Sequence, residues 1–358
     1  MSQRIGIIGA GGIAELHAQT ASKVGLEIAA VCDIDEGRAQ RLAAQYDGAI
    51  ATNSHAALLE LPDVSAVAIA TPTSTHKSLA VAALDAGKDV LLEKPMAVNC
   101  GECDEIIDAA QRAGKLLQMG FVCRSAPASL AAKRFIDAGR LGRIYHAKAS
   151  LYRRRGIPGL GRWFTTKRES GGGVVMDLGV HLLDLVLYLT GHPKLSRVCA
   201  SCTSTFGSPI DKYSYDEMWG GPPNPKGIFD VEDGVTALMH FDNGMSLELN
   251  TTWAADLPNG IYRDGVLLLG DKGGCFFDLW SNELVLAHEQ DGYLVDTKPS
   301  LPPGDAWSAA WQRQYEVFAD NLTNRKPPEA SAADGRAVQT VLDALYQSAE
   351  AGREVQLD

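Results

Sequence analysis

The stretch RIGIIGAGGIA, residues 4–14, decides the fold. An apolar strand runs directly into a G-x-G-x-x-A turn, and a helix is predicted from Ile13 to Val24. In such a turn Gly9 permits a tight bend, Gly11 lets backbone approach a pyrophosphate, and Ala14 keeps the helix close to the strand. The helix N-terminus adds free N–H groups and a positive dipole end. The turn therefore predicts dinucleotide contacts at Gly9, Gly11, Gly12, Ile13 and Ala14.

Strands and helices alternate from this turn as far as Gly120. The apolar runs LEIAAVCD, VSAVAIA, KDVLLE and KLLQMGF are separated by helical segments. Strands that are apolar on both faces, with helices between them, are typical of a parallel doubly wound sheet. We predict an α/β fold class with a Rossmann domain over residues 1–122.

An acidic residue, Asp33, ends the second of these strands. A carboxylate there accepts hydrogen bonds from the two hydroxyls of the adenosine ribose and repels a 2′-phosphate. The cofactor prediction is therefore NAD, although the nearby Arg38 leaves NADP open. The alternative is a glycine turn and a surface aspartate in a fold that binds nothing.

Two further signals follow strands, at the edge where ligands bind in such sheets. One is ATPTSTH, residues 70–76, and the other is EKP, residues 93–95. Lys94 is either a solvated charge or an active-site cation, and its place on the cofactor side of the sheet favours the cation. The predicted cofactor contacts here are Thr71, Pro72, His76, Glu93 and Lys94.

The pattern changes after residue 122. A helix at 129–138 and the alternating strand IYHAKASLY are followed by six strand-like runs after Arg197, and two helices close the chain. Turn sequences such as Asp242-Asn243-Gly244 separate several of the runs. We predict an α+β domain over residues 123–358 with a mostly antiparallel open sheet, serving substrate binding and oligomerisation.

The stretch GGGVVMDLGVHLLD, residues 171–184, places ionisable groups in an apolar helix. Asp177, His181 and Asp184 are four and three residues apart, so a helix would carry them on one face. We interpret the three glycines as letting backbone pass close to a flat ligand. A buried helix with a satisfied histidine and a metal site are the alternatives, but a full set of metal ligands is not evident, and the prediction is no metal.

These motifs together resemble the Gfo/Idh/MocA family, the group of glucose-fructose oxidoreductase and inositol dehydrogenase. The resemblance covers essentially the whole chain, and the pairing of EKP with D-x-x-x-H is its most specific part. It implies a Rossmann domain followed by an α/β domain whose sheet covers the active site and often forms the oligomer interface. By this resemblance Lys94, Asp177 and His181 are the catalytic residues.

The chemistry of a secondary alcohol suits that assignment. Its oxidation moves a hydride to NAD and needs a base for the hydroxyl proton, a role that neutral His181 can fill near pH 7. Lys94 would stabilise the developing alkoxide, and Asp177 would position the substrate. Asp184 either orients His181 or is a carboxylate on the helix face. The expected substrate contacts are Lys94, Arg124, Trp163, Asp177 and His181.

Three functions fit the sequence. The first is an NAD-dependent dehydrogenase acting on a sugar, a cyclitol or a derivative. The second is a glycosidase that uses bound NAD for transient oxidation and elimination. The third is a non-catalytic NAD or metabolite sensor, which the presence of Lys94, Asp177 and His181 disfavours.

The sequence departs from the family pattern where substrate is concerned. Thr73 stands where relatives often have Asn. Residues 206–231 read as a long loop whose Tyr213, Tyr215 and Trp219 either stack on a sugar or pack onto the loop's own surface. The basic segment 148–168 either holds an anionic substrate group or lies solvated at an interface. The second interpretation is favoured, because runs of charged residues are usually solvated.

Composition limits the partners. A formal charge of −11 in 358 residues argues against nucleic acid and anionic membranes. We expect no apolar run near ~20 residues, hence no membrane span. Seven cysteines without a dense framework suggest reduced thiols, with zinc or redox chemistry at the two C-x-x-C pairs as the alternative. We expect a cytoplasmic homodimer or homotetramer acting on a carbohydrate-like small molecule.

Overall fold

The chain divides into two compact units. The first comprises the residues up to Phe121 together with Trp311–Gln339, and the second comprises Val122–Ala310 together with the residues from Thr340. The sequence analysis divided the chain at residue 122 and therefore did not place residues 311–339 with the first unit. The functions that it assigned to the two domains stay a prediction. The computed structural model describes residues 3–212, 218–258, 260–279 and 281–357.

The first unit is built on a six-stranded parallel sheet of order β3-β2-β1-β4-β5-β6. This order confirms the predicted doubly wound sheet, and it reverses between β1 and β4, the point at which such sheets bind dinucleotides. Its strands are β1 (Arg4–Ile8), β2 (Glu27–Cys32), β3 (Ile50–Thr52), β4 (Ala66–Ile69), β5 (Asp89–Leu92) and β6 (Leu117–Met119). The sequence missed β3 because three residues are too few to show a pattern.

The helices of the first unit begin at residues that suit helix starts. The side chains of Asp35, Ser54 and Asn99 accept N–H bonds at the beginnings of α2, α3 and α5. The helices are α1 (Gly12–Lys23), α2 (Glu36–Ala43), α3 (His55–Leu59), α4 (His76–Asp85) and α5 (Cys100–Ala113).

Residues from the end of the chain complete the first unit. α9 (Ala306–Asn324) buries Trp311, Tyr315 and Phe318 almost completely. Aromatic side chains carry the largest apolar areas in a core. Their burial explains why residues 311–339 belong with the first unit although they follow the second in sequence.

The second unit is built on a nine-stranded sheet of order β14-β13-β12-β11-β7-β10-β9-β8-β15. All neighbouring strands are antiparallel except β7 and β10, which confirms the predicted mostly antiparallel sheet. The six predicted runs are β8 to β13, and the sequence missed β14 and β15. The strands are β7 (Ile144–Tyr152), β8 (Leu195–Thr203), β9 (Gly234–Phe241), β10 (Ser246–Thr252), β11 (Gly265–Gly270), β12 (Gly273–Phe277), β13 (Leu284–Gln290), β14 (Tyr293–Thr297) and β15 (Val355–Gln356).

The nine-stranded sheet buries one face. Ala147, Ala149 and Leu151 of β7 lie on that face, and β7 packs against the apolar helix α8. The opposite face carries Lys148, which pairs with Glu248 of β10, and Leu238 of β9, which is 46% exposed. The helices of this unit are α6 (Pro127–Asp137), α7 (Lys167–Ser170), α8 (Val180–Thr190) and the last part of α10 (Ala332–Ala351).

One stretch, Lys167–Thr190, is long and apolar enough by length and composition to cross a membrane. This corrects the expectation that no apolar run approaches ~20 residues. Of its most apolar window 94% is buried inside the protein, as in the core helix of a globular domain. The reason is that α8 supplies the core beneath the sheet, so it is apolar on every side.

Candidate active site

The turn between β1 and α1 has the shape that a dinucleotide requires. Gly9 has a φ of +104°, and a Cβ there would lie 2.3 Å from the backbone oxygen of Ala70. At Gly11 and Gly12 an added Cβ would meet no described atom within 4 Å. No side chain caps α1 at Gly11, so its first N–H groups can bind an anion. These residues fit the pyrophosphate of NAD.

The next two residues of the motif differ in burial. Ala14 is fully buried, so a larger side chain would push α1 away from the sheet. Ile13 is half-buried, and its contact with a cofactor stays a prediction.

Asp33, directly after β2, has a carboxylate held by three donors. Its Oδ2 accepts the N–H of Ala10 at 2.8 Å, and its Oδ1 accepts the N–H of Asp35 at 2.8 Å and Nη2 of Arg38 at 2.9 Å. Asp33, which would repel a 2′-phosphate, and Arg38, which would attract one, thus form an ion pair. Ile34, directly after Asp33, is 93% exposed, and the sequence analysis did not single it out.

His76 is buried between the ends of β4 and β5. Its Nδ1 lies 2.8 Å from the carbonyl oxygen of Pro95, and its Nε2 lies 3.0 Å from that of Thr71. Burial lowers the pKa of His76, although its hydrogen bonds to backbone oppose the effect. The ring therefore ties the two loops together, while Thr71 and Pro72 are half-buried. Cofactor contacts of these residues stay predictions.

The EKP residues follow β5. Glu93 is buried, and its Oε2 accepts the backbone N–H of Lys94 at 3.2 Å. Lys94 is half-buried, and the peptide bond between Lys94 and Pro95 is cis. Lys94 thus lies at the carboxyl edge of the sheet, as the sequence predicts.

The glycines before the ionisable helix have an intramolecular explanation. A Cβ on Gly172 would lie 1.9 Å from the hydroxyl of Tyr346, and a Cβ on Gly173 would lie 1.9 Å from the backbone oxygen of Glu232. Gly171 has a φ of +83° and ends α7. At Gly172 and Gly173 the protein's own atoms occupy the space that a Cβ would fill. The interpretation that the three glycines admit a flat ligand stays a prediction.

Glu232 holds the start of the helical stretch that carries Asp177 and His181. Its carboxylate accepts the N–H groups of Gly173 at 2.9 Å and Val175 at 3.0 Å, and the hydroxyl of Tyr346 at 2.8 Å. Burial raises the pKa of Glu232, and these hydrogen bonds oppose the rise. The sequence analysis missed Glu232 and Tyr346 because they are 59 and 173 residues from Gly173.

Asp177 lies in a π-helical turn, Val175–Gly179, directly before α8. The turn differs from the regular helix that the sequence predicts, and such turns are frequent at functional sites. The Oδ2 of Asp177 accepts the indole N–H of Trp253 at 2.9 Å, and both residues are buried. Trp253 follows β10 and was not predicted as a site residue.

His181 is buried at the beginning of α8. Its Nδ1 lies 3.6 Å from the sulfur of Cys123, in the short 3-10 helix Val122–Ser125. A thiol is a weak donor and a weak acceptor, so this contact influences which ring nitrogen carries the proton. No motif in the sequence points to Cys123.

Asp184 pairs with Arg124 in this structure, and its predicted role in orienting His181 stays a prediction. The guanidinium donates to both carboxylate oxygens of Asp184, with Nη2 to Oδ1 at 2.6 Å, and lies over the ring of Tyr188 at 4.7 Å. Both members of the pair are buried. A buried pair of this kind is costly to break, so Arg124 has a structural role that was not predicted. Its contact with substrate stays a prediction.

Trp163 lies in an aromatic cluster. The centroid of its ring is 3.6 Å from the ring centroid of Phe164, and the centroids of Phe164 and Trp219 are 4.8 Å apart. The described part of the loop therefore packs against its own unit, whereas Tyr213 and Tyr215 lie outside the described residues. A substrate contact of Trp163 stays a prediction.

The basic segment 148–168 is largely engaged by neighbouring groups, which supports its interpretation as a solvated or interface segment. The described partners are Glu248 for Lys148, the Gly156 oxygen for Arg153, Asp256 for Arg155, the Pro222 oxygen for Arg162 and Glu169 for Arg168.

The two C-x-x-C pairs belong to different units, Cys100 and Cys103 to the first and Cys199 and Cys202 to the second. Cys100 contacts Arg336, Cys199 is exposed, and Cys202 is partly buried within the second unit. Among residues 3–212, 218–258, 260–279 and 281–357 no group of three or more His, Cys, Asp or Glu side chains is arranged to hold a metal ion.

Comparison with known proteins agrees with this geometry. Residues 3–121 match the Gfo/Idh/MocA oxidoreductase family with its NAD-binding Rossmann fold, and residues 129–275 match the Gfo/Idh/MocA C-terminal domain. Both parts of the resemblance seen in the sequence are thereby confirmed.

Relatives match over almost the whole chain. D-glucoside 3-dehydrogenase of Escherichia coli K12 is 32% identical over 99% of this chain and 97% of its own. scyllo-Inositol 2-dehydrogenase (NAD+) of Bacillus subtilis 168 is 26% identical over 99% and 96%. The structure of levoglucosan dehydrogenase with NADH and levoglucosan superposes with a TM-score of 0.87 at 23% identity, covering 99% of each chain. The chain belongs to the Gfo/Idh/MocA family of oxidoreductases, and its first unit is an NAD-binding Rossmann domain.

Proposed function

We propose that the protein is an NAD-dependent dehydrogenase that oxidises or reduces a secondary alcohol of a sugar, a cyclitol or a related molecule. The observation that carries the proposal is the buried pair Asp177 and His181 at the start of an otherwise apolar helix. Ionisable groups in such surroundings reduce stability, and a catalytic task accounts for their presence. The seven cysteines, all within the described residues, form no disulfide bonds, which supports the cytoplasm as the compartment.

Each of three residues has one role in this proposal. Bound NAD supplies the acceptor for the hydride of the alcohol carbon. His181 takes the hydroxyl proton on Nε2, which requires that Nδ1 carry the ring proton toward the sulfur of Cys123. Lys94 stabilises the negative charge that develops on the substrate oxygen. Asp177, fixed by the indole of Trp253, orients the hydroxyl.

The relatives named above support a carbohydrate-like substrate. They act on glucosides, inositol and levoglucosan according to their names. The cluster of Trp163, Phe164 and Trp219 supplies aromatic rings of the kind that pack against sugars. We propose Arg124 as a further contact with the substrate.

A substrate screen tests the function. D-glucosides, scyllo-inositol, levoglucosan, other cyclitols and sugar acids are incubated with NAD, and both NADH absorbance and product release are followed. We expect net NADH formation with at least one polyol. Release of the aglycone from a glucoside without net NADH, by protein that retains NAD through purification, would instead indicate the glycosidase.

Asp33→Ala is expected to weaken NAD binding by ~10–100-fold and to reduce the preference for NAD over NADP. The ribose hydroxyls lose their acceptor, and Arg38 loses the nearer of its two carboxylate partners, Asp33 at 2.9 Å rather than Asp35 at 3.7 Å. Titration calorimetry with both cofactors measures the change. Asp35→Ala is the matched control, because that exposed carboxylate caps α2 without binding Ala10. Tighter binding of NADP than NAD by the unaltered protein would contradict the assignment.

We also propose a homodimer or homotetramer that covers the exposed face of the nine-stranded sheet. Leu238 lies on this face, opposite Cys199 of the neighbouring strand. Leu238→Glu is expected to give monomers by light scattering and to make Cys199 react quickly with a thiol reagent. Cys202 and Cys275 should stay unreactive at pH 8, because burial raises the pKa of each thiol to about 12. A monomeric mass for the unaltered protein at micromolar concentration would contradict the proposal.

A further inference from the structure

A chain of buried side chains leads from α9 to the backbone of Lys94. His17 of α1 is fully buried, with Nδ1 2.6 Å from the hydroxyl of Tyr315 and Nε2 3.0 Å from Oε1 of Glu93. The other carboxylate oxygen of Glu93 accepts the N–H of Lys94 at 3.2 Å. All four residues belong to the first unit.

One protonation pattern satisfies every member of this chain. Burial, with a smaller effect of Glu93, raises the pKa of Tyr315 well above its ordinary value. The phenol therefore keeps its proton, and next to a neutral His17 it donates a hydrogen bond to Nδ1. A neutral imidazole then carries its own proton on Nε2 and donates it to Glu93, whose carboxylate also accepts from Lys94. The chain thus has a fixed direction, from Tyr315 to Lys94.

The surroundings leave these groups little freedom. The ring of Trp311 stands edge-on to His17 with centroids 4.8 Å apart. A Cβ on Gly120 would lie 2.7 Å from Oε1 of Glu93, so a glycine at the end of β6 makes room for the carboxylate. A buried, fully satisfied network of this kind rigidifies what it contacts.

A second histidine holds the other side of Lys94. His76 lies with Nδ1 2.8 Å from the carbonyl oxygen of Pro95, the residue after Lys94. The N–H of Lys94 and the carbonyl oxygen of the next residue, Pro95, therefore both have buried partners. Because the direction of a side chain starts from its own backbone, loosening this segment moves the ammonium, and a displacement of about 1 Å in an active site can cost ~10²-fold in rate.

We propose that Tyr315, His17 and Glu93 are positioning residues that fix the backbone of Lys94 and thereby the direction in which its ammonium meets the substrate hydroxyl. The last step rests on the proposed function, since Lys94 acts on substrate only if that function is right. None of the three needs to touch substrate for this role.

Hydrogen exchange at the Lys94 amide tests the structural part without substrate. In the full-length protein Tyr315→Phe is expected to speed exchange of that amide by ~10-fold, because His17 is no longer held in the tautomer that serves Glu93. His17→Leu should speed it at least as much, whereas His17→Gln, which can still donate and accept, should lie between. Asn321→Ala is the control, because it removes a buried hydrogen bond of α9 to Gln118 and should leave Lys94 unchanged.

Kinetics tests the functional part, with whichever of D-glucoside, scyllo-inositol or levoglucosan gives turnover. Tyr315→Phe is expected to lower kcat ~10–100-fold while the KM for NAD stays within ~3-fold. In a Lys94→Ala background the same change should add no further loss, because its effect passes through Lys94.

The possible results separate the two ideas. Unchanged exchange at Lys94 in both Tyr315→Phe and His17→Leu overturns the positioning chain, whatever Lys94 does. Faster exchange with unchanged kcat, in a protein that Lys94→Ala inactivates, overturns it as well. A Lys94→Ala protein that is as active as the original counts against the proposed function, while the exchange result still decides whether the chain holds the backbone.

Discussion

His181→Ala is expected to lower kcat by ~10²–10⁴-fold, the usual loss when a general base is removed. The affinity for NAD should stay within a few fold, because the dinucleotide turn and Asp33 belong to the other unit. Steady-state kinetics on the substrate found in the screen, together with NAD titration of the same preparation, measures both quantities.

Lys94→Ala should cause a similar loss of kcat. The double variant should lose much less than the product of the two effects, because in the proposed function both residues serve one proton transfer. His55→Ala, which removes an exposed histidine at the start of α3, is the control and should leave kcat unchanged. Near-normal turnover by His181→Ala would mean that this stretch is a core helix with a satisfied histidine.

Gly173→Ala is expected to lower the free energy of unfolding by about 3 kcal/mol or more, even without cofactor. The added Cβ would lie 1.9 Å from the backbone oxygen of Glu232, and backbone cannot give way as a flexible side-chain end can. The start of the helical stretch would shift, and with it Asp177 and His181. Denaturant unfolding of the cofactor-free protein measures the change.

Gly179→Ala is the matched control on the same stretch. Its Cβ would meet Val175 at 3.5 Å, an ordinary contact, so the free energy of unfolding should change by less than about 1 kcal/mol. If Gly173→Ala left the cofactor-free protein as stable as before but abolished NAD binding, the glycine would serve the ligand, as the sequence analysis first proposed.

The first unit could be predicted from sequence in detail because its signals are local. A turn of glycines, an acid at the next strand end and apolar runs of strand length each depend on a few consecutive residues. The parallel order and the carboxyl edge that carries Thr71, Asp33 and Lys94 follow from them by the rules for doubly wound sheets. Exact bounds were less certain, and β3 was missed.

The partners of the candidate site residues could not be predicted in the same way. The spacing of Asp177, His181 and Asp184 indicates that a helix carries them. Helical spacing does not indicate which residues contact each side chain. Trp253, Cys123 and Arg124 meet them from 76, 58 and 60 residues away. Those contacts form only in the tertiary structure.

The sequence by itself therefore determined the dinucleotide fold, the family and the chemical types of the candidate catalytic groups, because each is encoded in short stretches with fixed spacing. Only the tertiary structure decided that Gly172 and Gly173 make room for Tyr346 and Glu232, that Asp184 belongs to Arg124, and that Tyr315 joins His17. The physical reason is that packing and hydrogen bonding depend on distances in space, and for these pairs the separation along the chain, up to 298 residues, carries no information about those distances.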